Sequence, residues 1–140
     1  NIKKFSNGNI YEGLLDRNGK MSGKGKYTYT NGNVYFGNFK DDLFSGEGTF
    51  YYVQGDKYKG KFKSDLPHGK GKKTYANGNE YSGNFFKGKR QGQGKYTWNN
   101  GNFYNGMWKN DKKNGRGIWF DASKNKEIKG RWSNDVIVKN

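Results

Sequence analysis

The chain has 140 residues, a formal net charge of +15, 30% hydrophobic residues and a mean hydropathy of −1.27. Such a composition excludes a conventional aliphatic core and would by itself favour disorder. However, 11 Tyr, 10 Phe and 4 Trp recur at regular intervals, so a folded chain must be built on rings. The lack of cysteine disfavours a disulfide-stapled secreted domain and favours an intracellular setting, and no apolar run reaches the length of a membrane span.

Residues 1–8 read as the end of an upstream repeat, because Phe5-Ser6-Asn7-Gly8 matches Tyr29-Thr30-Asn31-Gly32. Full units follow at about 9–31, 32–54, 55–77, 78–100 and 101–123, and a partial terminal unit occupies 124–140. The whole of 1–140 is thus one array, expected to be cut at both ends. The tyrosine of Tyr-x-Gly recurs at Tyr11, Tyr35, Tyr58, Tyr81 and Tyr104. A Gly-x-Gly pair follows each at Gly23/Gly25, Gly46/Gly48, Gly69/Gly71, Gly92/Gly94 and Gly115/Gly117, a period of 23 residues. The first unit carries one extra residue in its turn, at Arg17-Asn18-Gly19, and the last lacks Gly-x-Gly.

Inside a unit the pattern alternates with period two, which with a short polar turn signals a β-hairpin. Centring the turn on Asp41-Asp42 pairs Tyr35 with Gly48, Gly37 with Gly46 and Phe39 with Phe44. Other turns fall on Ser64-Asp65, Lys87-Gly88 and Asn110-Asp111, which include residue types that tolerate positive φ. Each tyrosine ring then lies over a glycine of the facing strand, which gives Gly37, Gly48, Gly60, Gly71, Gly83 and Gly94 structural roles. The expected fold is all-β: an elongated single-layer antiparallel sheet of stacked 23-residue β-hairpins. One face is aromatic and glycine-rich, the other polar and basic, and each hairpin adds about 10 Å.

No catalytic constellation is legible. His68 is the sole histidine and lies beside Pro67 near a turn, and the 12 acids are scattered. No metal-ligand spacing occurs, and Gly69-Lys70-Gly71-Lys72-Lys73-Thr74 departs from a phosphate loop and lies in a strand. Neither an enzyme activity nor a cofactor or metal is expected.

The polar face carries Lys57, Lys59, Lys61, Lys70 and Lys72 in the third unit. The register above sets Lys57 opposite Lys72 and Lys59 opposite Lys70, whereas elsewhere Glu12 faces Lys24 and Glu80 faces Lys95. Opposed like charges destabilise a sheet, so these lysines are the candidate anion or lipid site, weighed against a merely solvated face. The aromatic face has no second layer to cover it. Most rings of this face must form the core, but some should stay exposed, and Tyr81, Phe85, Trp98, Tyr104, Trp108 and Trp119 are the candidate protein-binding groove, since exposed apolar patches and Trp/Tyr clusters mark binding surfaces. One inner-face position pairs Asn9 with Tyr27, Asn33 with Phe50, Asn79 with Tyr96 and Asn102 with Trp119. In the third unit the pair becomes Asp56 and Lys73, for which an ion pair is expected.

Five Tyr-x-Gly motifs in register with five Gly-x-Gly pairs resemble MORN (membrane occupation and recognition nexus) repeats over essentially the whole chain. The departures are the incomplete last unit and Lys73 in place of an aromatic. The resemblance implies a non-enzymatic scaffold or adaptor in a cytoskeletal, ciliary or membrane-associated assembly. It implies an aromatic groove that binds a peptide or helix of another protein, or a second copy as a homodimer. The alternative it implies is a membrane-surface adaptor holding anionic phospholipid on its lysines, in the cytoplasm, on the cytoskeleton or at the cytoplasmic face of a membrane. Nucleic-acid binding by ring stacking and lysines ranks last.

Overall fold

The computed structural model describes residues 1–138. They form one antiparallel sheet of thirteen strands whose spatial order is the chain order. The strands are β1 (Ile2–Lys4), β2 (Ile10–Leu15), β3 (Met21–Thr28), β4 (Val34–Lys40), β5 (Leu43–Tyr51), β6 (Lys57–Lys63) and β7 (Leu66–Thr74). They continue with β8 (Glu80–Phe86), β9 (Lys89–Thr97), β10 (Phe103–Lys109), β11 (Lys112–Asp121), β12 (Lys126–Ser133) and β13 (Val136–Val138). There is no helix among the described residues, hence none able to cross a membrane.

The tight turns fall where the residue types place them. Asp41 and Asp42 have φ of 50° and 68°, and the same left-handed pair recurs at Ser64-Asp65, Lys87-Gly88, Asn110-Asp111 and Asn134-Asp135. Two successive positive φ values make a type I′ turn, whose twist matches that of the strands it joins.

Past the turn the register differs from the expected one. Phe39 does face Phe44, but Gly37 faces Gly48 and Tyr35 faces Phe50. Between those pairs β4 contributes only Asn38, while β5 contributes Ser45, Gly46 and Glu47, so β5 bulges by two residues. Gly46 makes the bulge possible with φ of 65°, and Gly23, Gly69, Gly92 and Gly115 repeat it. The two glycines of Gly-x-Gly thus do different things: the first bends the strand and the second joins a row. That row runs Gly13, Gly25, Gly37, Gly48, Gly60, Gly71, Gly83, Gly94, Gly106, Gly117 and Gly130, each facing the next across eleven strands.

The core is built on this row. Each Tyr-x-Gly tyrosine lies along its strand, so its ring covers the glycine diagonally opposite, Tyr35 over Gly48 for example. All five of these tyrosines are 0% exposed. Their hydroxyls donate to the carbonyls of Leu14, Asn38, Lys61, Asn84 and Met107 at 2.6–2.9 Å, on the strand that faces the bulge. Burial disfavours the phenolate, pushing Tyr104 up to about 12 and raising Tyr35, Tyr58 and Tyr81 further.

Between successive tyrosines stands one more ring, edge-on to both. Phe39 joins Tyr11 to Tyr35, Phe62 joins Tyr35 to Tyr58, Phe85 joins Tyr58 to Tyr81, and Trp108 joins Tyr81 to Tyr104, at 4.9–5.4 Å. Edge-to-face is the favoured geometry of aromatic pairs, and Trp132 extends the chain of rings from Tyr104.

The glycine row supplies its own test. A Cβ on Gly117 would sit 2.5 Å from the Tyr104 ring, whereas one on Gly130, directly across, would first meet Ile137 Cδ1 at 3.3 Å. Gly117→Ala is therefore expected to destabilise the fold by about 2–3 kcal/mol and Gly130→Ala by less than about 1 kcal/mol. Urea midpoints of the two variants would check this, equal values counting against the ring-over-glycine core.

Candidate interaction surfaces

The two faces differ chemically because alternate residues of each strand go to opposite sides. On the inner face the buried ring chain is flanked by a second, partly exposed band. Tyr27, Tyr29, Phe50 and Tyr52 form its N-terminal section and Tyr75, Tyr96, Trp98 and Trp119 its C-terminal one. Ring contacts of 4.5–5.9 Å run within each section. Lys73 stands between the sections, its Nζ 5.1 Å from the Tyr52 ring centre and 5.2 Å from that of Tyr75.

Of the six residues expected to line a groove, Tyr81, Phe85, Tyr104 and Trp108 are buried, with exposures of 0–6%. They are core, and Trp108 further donates its indole N–H to the Gly94 carbonyl at 3.0 Å. Sequence spacing alone does not tell the edge-on ring from the outlying one. Trp98 and Trp119 remain partly exposed and stand 5.1 Å apart.

Two inner-face cations that escaped the sequence reading share one repeat position. Phe44 stacks on Tyr35 at 3.8 Å, and the residues two beyond the later turns, Arg90 and Lys113, take its place in the fourth and fifth repeats. The Arg90 guanidinium lies 4.7 Å from the Trp108 ring and 5.2 Å from that of Tyr96. Its Nε donates to Asp111 Oδ1 at 3.1 Å and its Nη2 to the Asp111 carbonyl at 2.9 Å. Lys113 Nζ lies 5.6–5.8 Å from the rings of Trp98, Tyr104 and Trp119. The legible signal was the change of residue type at one repeat position, from Met21 and Phe44 to Arg90 and Lys113.

The expected Asp56–Lys73 ion pair does not form: the ion pairs among the described residues are Lys72–Glu80 and Arg90–Asp111. Lys73 faces Tyr58 and lies over rings, while Asp56 Oδ1 accepts the Ala76 N–H at 2.9 Å. Asn9, Asn33, Asn79 and Asn102 accept the corresponding N–H of Thr30, Val53, Asn99 and Ala122 at 2.8–3.1 Å. An aspartate serves equally here because only the oxygen is common to all five. Asn9 and Asn79 also donate to the hydroxyls of Tyr27 and Tyr96 at 3.1 Å, a bond that needs both an amide and a phenol.

On the outer face the bulge moves the lysines. Lys59 faces Lys72, Lys57 faces Thr74 and Lys70 faces Asn84, in place of the Lys57–Lys72 and Lys59–Lys70 pairs expected. Glu12 faces Lys26 instead of Lys24, and Glu80 faces Thr97 instead of Lys95. Lys59, Lys70 and Lys72 line one open trough of about 540 Å³ with Lys95, Ser82 and Asn84, floored by Gly60, Gly71, Gly83 and Gly94. Lys57 and Lys61 lie outside it, Lys57 over the Tyr51 ring and Lys61 opposite Glu47. His68 packs on Phe86, and its Nδ1 accepts the Lys87 N–H at 3.2 Å. No group of three or more His, Cys, Asp or Glu able to hold a metal occurs among the described residues.

A meander of near-identical hairpins with its buried ring chain on one face defines a repeat scaffold. The MORN repeat family matches residues 11–34, 35–57, 58–80, 81–103 and 104–126 in unbroken succession. The chain belongs to the MORN repeat family, a non-catalytic repeat family whose members point to adaptor roles. No curated protein matches the sequence. Among solved structures the chain is similar to the SAS-4 (dCPAP) TCP domain of Drosophila melanogaster, determined in complex with a proline-rich motif of Ana2 (dSTIL). The identity is 10% and the TM-score 0.42, over 94% of this chain and 83% of that one. Likeness at that level says nothing about what this chain binds.

The Asp56–Lys73 geometry predicts independence. Asp56→Asn and Lys73→Met are expected to act additively on stability, with a coupling below about 0.5 kcal/mol in a double-mutant cycle. A coupling of about 1 kcal/mol or more would restore the ion pair.

Proposed function

We propose that this chain is a non-enzymatic adaptor whose inner aromatic face binds a segment of another protein. The observation that carries the reading is the partly exposed ring band, Trp98 and Trp119 foremost, on a sheet face that no second layer covers among the described residues. Bulky rings on a rigid sheet offer large apolar contact with little side-chain entropy to lose, as at binding hot spots. A peptide selected on the chain from a random library is expected to lose about tenfold or more in affinity on Trp98→Ala with Trp119→Ala. Calorimetric titration of the folded variant measures it. Undiminished binding by a variant with an unchanged melting point would refute the groove, and a concentration-dependent dimer in sedimentation would assign the face to a second copy.

A second reading rests on the outer trough. Lys59 and Lys72 face each other with Lys70 and Lys95 beside them, and of these only Lys72 has a carboxylate partner, Glu80 at 3.3 Å. An anionic membrane surface would relieve that repulsion. Lys59→Glu with Lys70→Glu is expected to cut co-sedimentation with phosphatidylserine vesicles by about tenfold at about 50 mM salt, and both proteins should lose binding as screening increases. Equal binding by the wild type and the reversed variant would leave these lysines a solvated face.

A further inference from the structure

We infer that the segment taken by the inner face is acidic, with carboxylates seated on Lys73 and Lys113 and apolar side chains on the rings around them. This rests on the groove reading above and adds the chemistry of the occupant. Every inner-face position that repeats faithfully is apolar or aromatic, or is consumed in backbone hydrogen bonds. The exceptions are four cations: Lys73, Arg90, Lys113 and Lys3, which lies over the Phe5 ring and donates from Nζ to the Gly19 carbonyl at 3.2 Å. They are not equivalent. Arg90 is engaged twice by Asp111, so its charge serves the joint between the fourth and fifth hairpins. Lys73 and Lys113 have no carboxylate within ion-pair distance among the described residues.

Each ammonium is partly shielded and held over rings: Tyr52 and Tyr75 for Lys73, and Trp98, Tyr104 and Trp119 for Lys113. A cation on an aromatic face is attracted by the ring quadrupole but keeps its hydrogen-bond donors. It therefore presents donors in an environment less screened than the lysines of the outer face. Lys113 also borders a hollow of about 280 Å³ lined by Trp119, Ile128, Trp132, Ile137 and Asp135, whose Oδ1 accepts the Lys113 backbone N–H at 2.8 Å without pairing its ammonium, so an apolar side chain has a place beside the charge. A neutral or basic apolar segment would cover both ammonium groups and leave them unpaired, at a desolvation penalty. An acidic one pairs them. The two lysines lie on β7 and β11, four strand spacings or roughly 19 Å apart across the sheet. Selectivity therefore requires acidic residues at two separated points of the ligand, not one acidic end.

The test uses synthetic peptides of about 15 residues with Leu or Phe at every third or fourth position and Glu, Gln or Lys at all the others. Binding is read by fluorescence polarisation at about 150 mM salt. The wild-type chain is expected to bind the Glu peptide about tenfold more tightly than the Gln peptide and the Lys peptide least. Lys73→Tyr with Lys113→Phe installs the residue types found at these places in other repeats, so the fold should survive. If it does not, Lys73→Gln with Lys113→Gln replaces it. Either variant should bind the Glu and Gln peptides alike. Lys59→Ala with Lys72→Ala, which removes the same charge from the outer face, should keep the preference. A preference that survives the groove substitutions, or vanishes with the outer ones, overturns the inference, as does failure of all three peptides to bind. Equal wild-type affinity for Glu and Gln peptides also overturns it, yet the groove reading stands if Trp98→Ala weakens both. If Trp98→Ala weakens neither, that reading falls as well.

Discussion

A tyrosine ring lying flat over a glycine on the next strand is the contact from which the rest of the structure follows. A single sheet has no second layer against which to bury a face, so its side chains must lie down on it. At ten of the eleven positions of the central row a Cβ would collide with a tyrosine ring or its hydroxyl, and only Gly130, at the row's end, has room for one. The hydroxyl end of each ring also satisfies a carbonyl left free opposite the bulge, so burying a phenol strands no polar group. With the tyrosines laid down, gaps of one ring's width remain between hairpins, and Phe39, Phe62, Phe85, Trp108 and Trp132 fill them edge-on.

Joints between hairpins rest on a second recurring device. The second turn residue of one hairpin clasps the backbone of the hairpin before it: Asp42 Oδ1 accepts from the Met21 N–H, Asp65 from Phe44, Asp111 from Arg90 and Asp135 from Lys113, all at 2.8 Å. The joint between the third and fourth hairpins breaks the rule in a self-consistent way. The donor there is Pro67, which has no N–H, and the turn residue is Gly88, which has no carboxylate. What survives is the reciprocal bond from the Gly88 N–H to the Pro67 carbonyl at 2.8 Å. Losing the donor removed the use of the acceptor, so the two changes read as one.

Much of this was legible in the residues and some was not, for reasons that can be named. The 23-residue period, the turn residues and the tyrosine over its glycine follow from alternation and turn chemistry, and the structure bears them out. The hairpin register failed by two residues beyond the turn because Gly46 was read as an in-line strand residue. Its φ of 65° is what a bulge needs, but a sequence does not show which glycine of Gly-x-Gly adopts it. That slip displaced every lysine pairing on the outer face. Asp56 and Lys73 were read as partners because they change together. Each instead answers to a different neighbour, the Ala76 N–H for one and aromatic rings for the other. Four of the six groove residues were placed on the right face but at the wrong depth, since periodicity gives the side of a sheet and not the height of a ring above it.

Identity and difference along the array then divide the labour. What is the same in every repeat is used up by folding: the glycine row, the buried tyrosine and the Asn or Asp that accepts the next loop. A position free to change without loss of the fold is one whose side chain reaches beyond those contacts. Position 44 and its counterparts show this, running from Met21 through Phe44 and Pro67 to Arg90 and Lys113 while the tyrosine beneath each stays buried. Repetition therefore carries stability, and departures from it carry specificity. In this chain the departures on the inner face include cations set among rings, so an array assembled from nearly interchangeable hairpins presents a surface that no single hairpin contains.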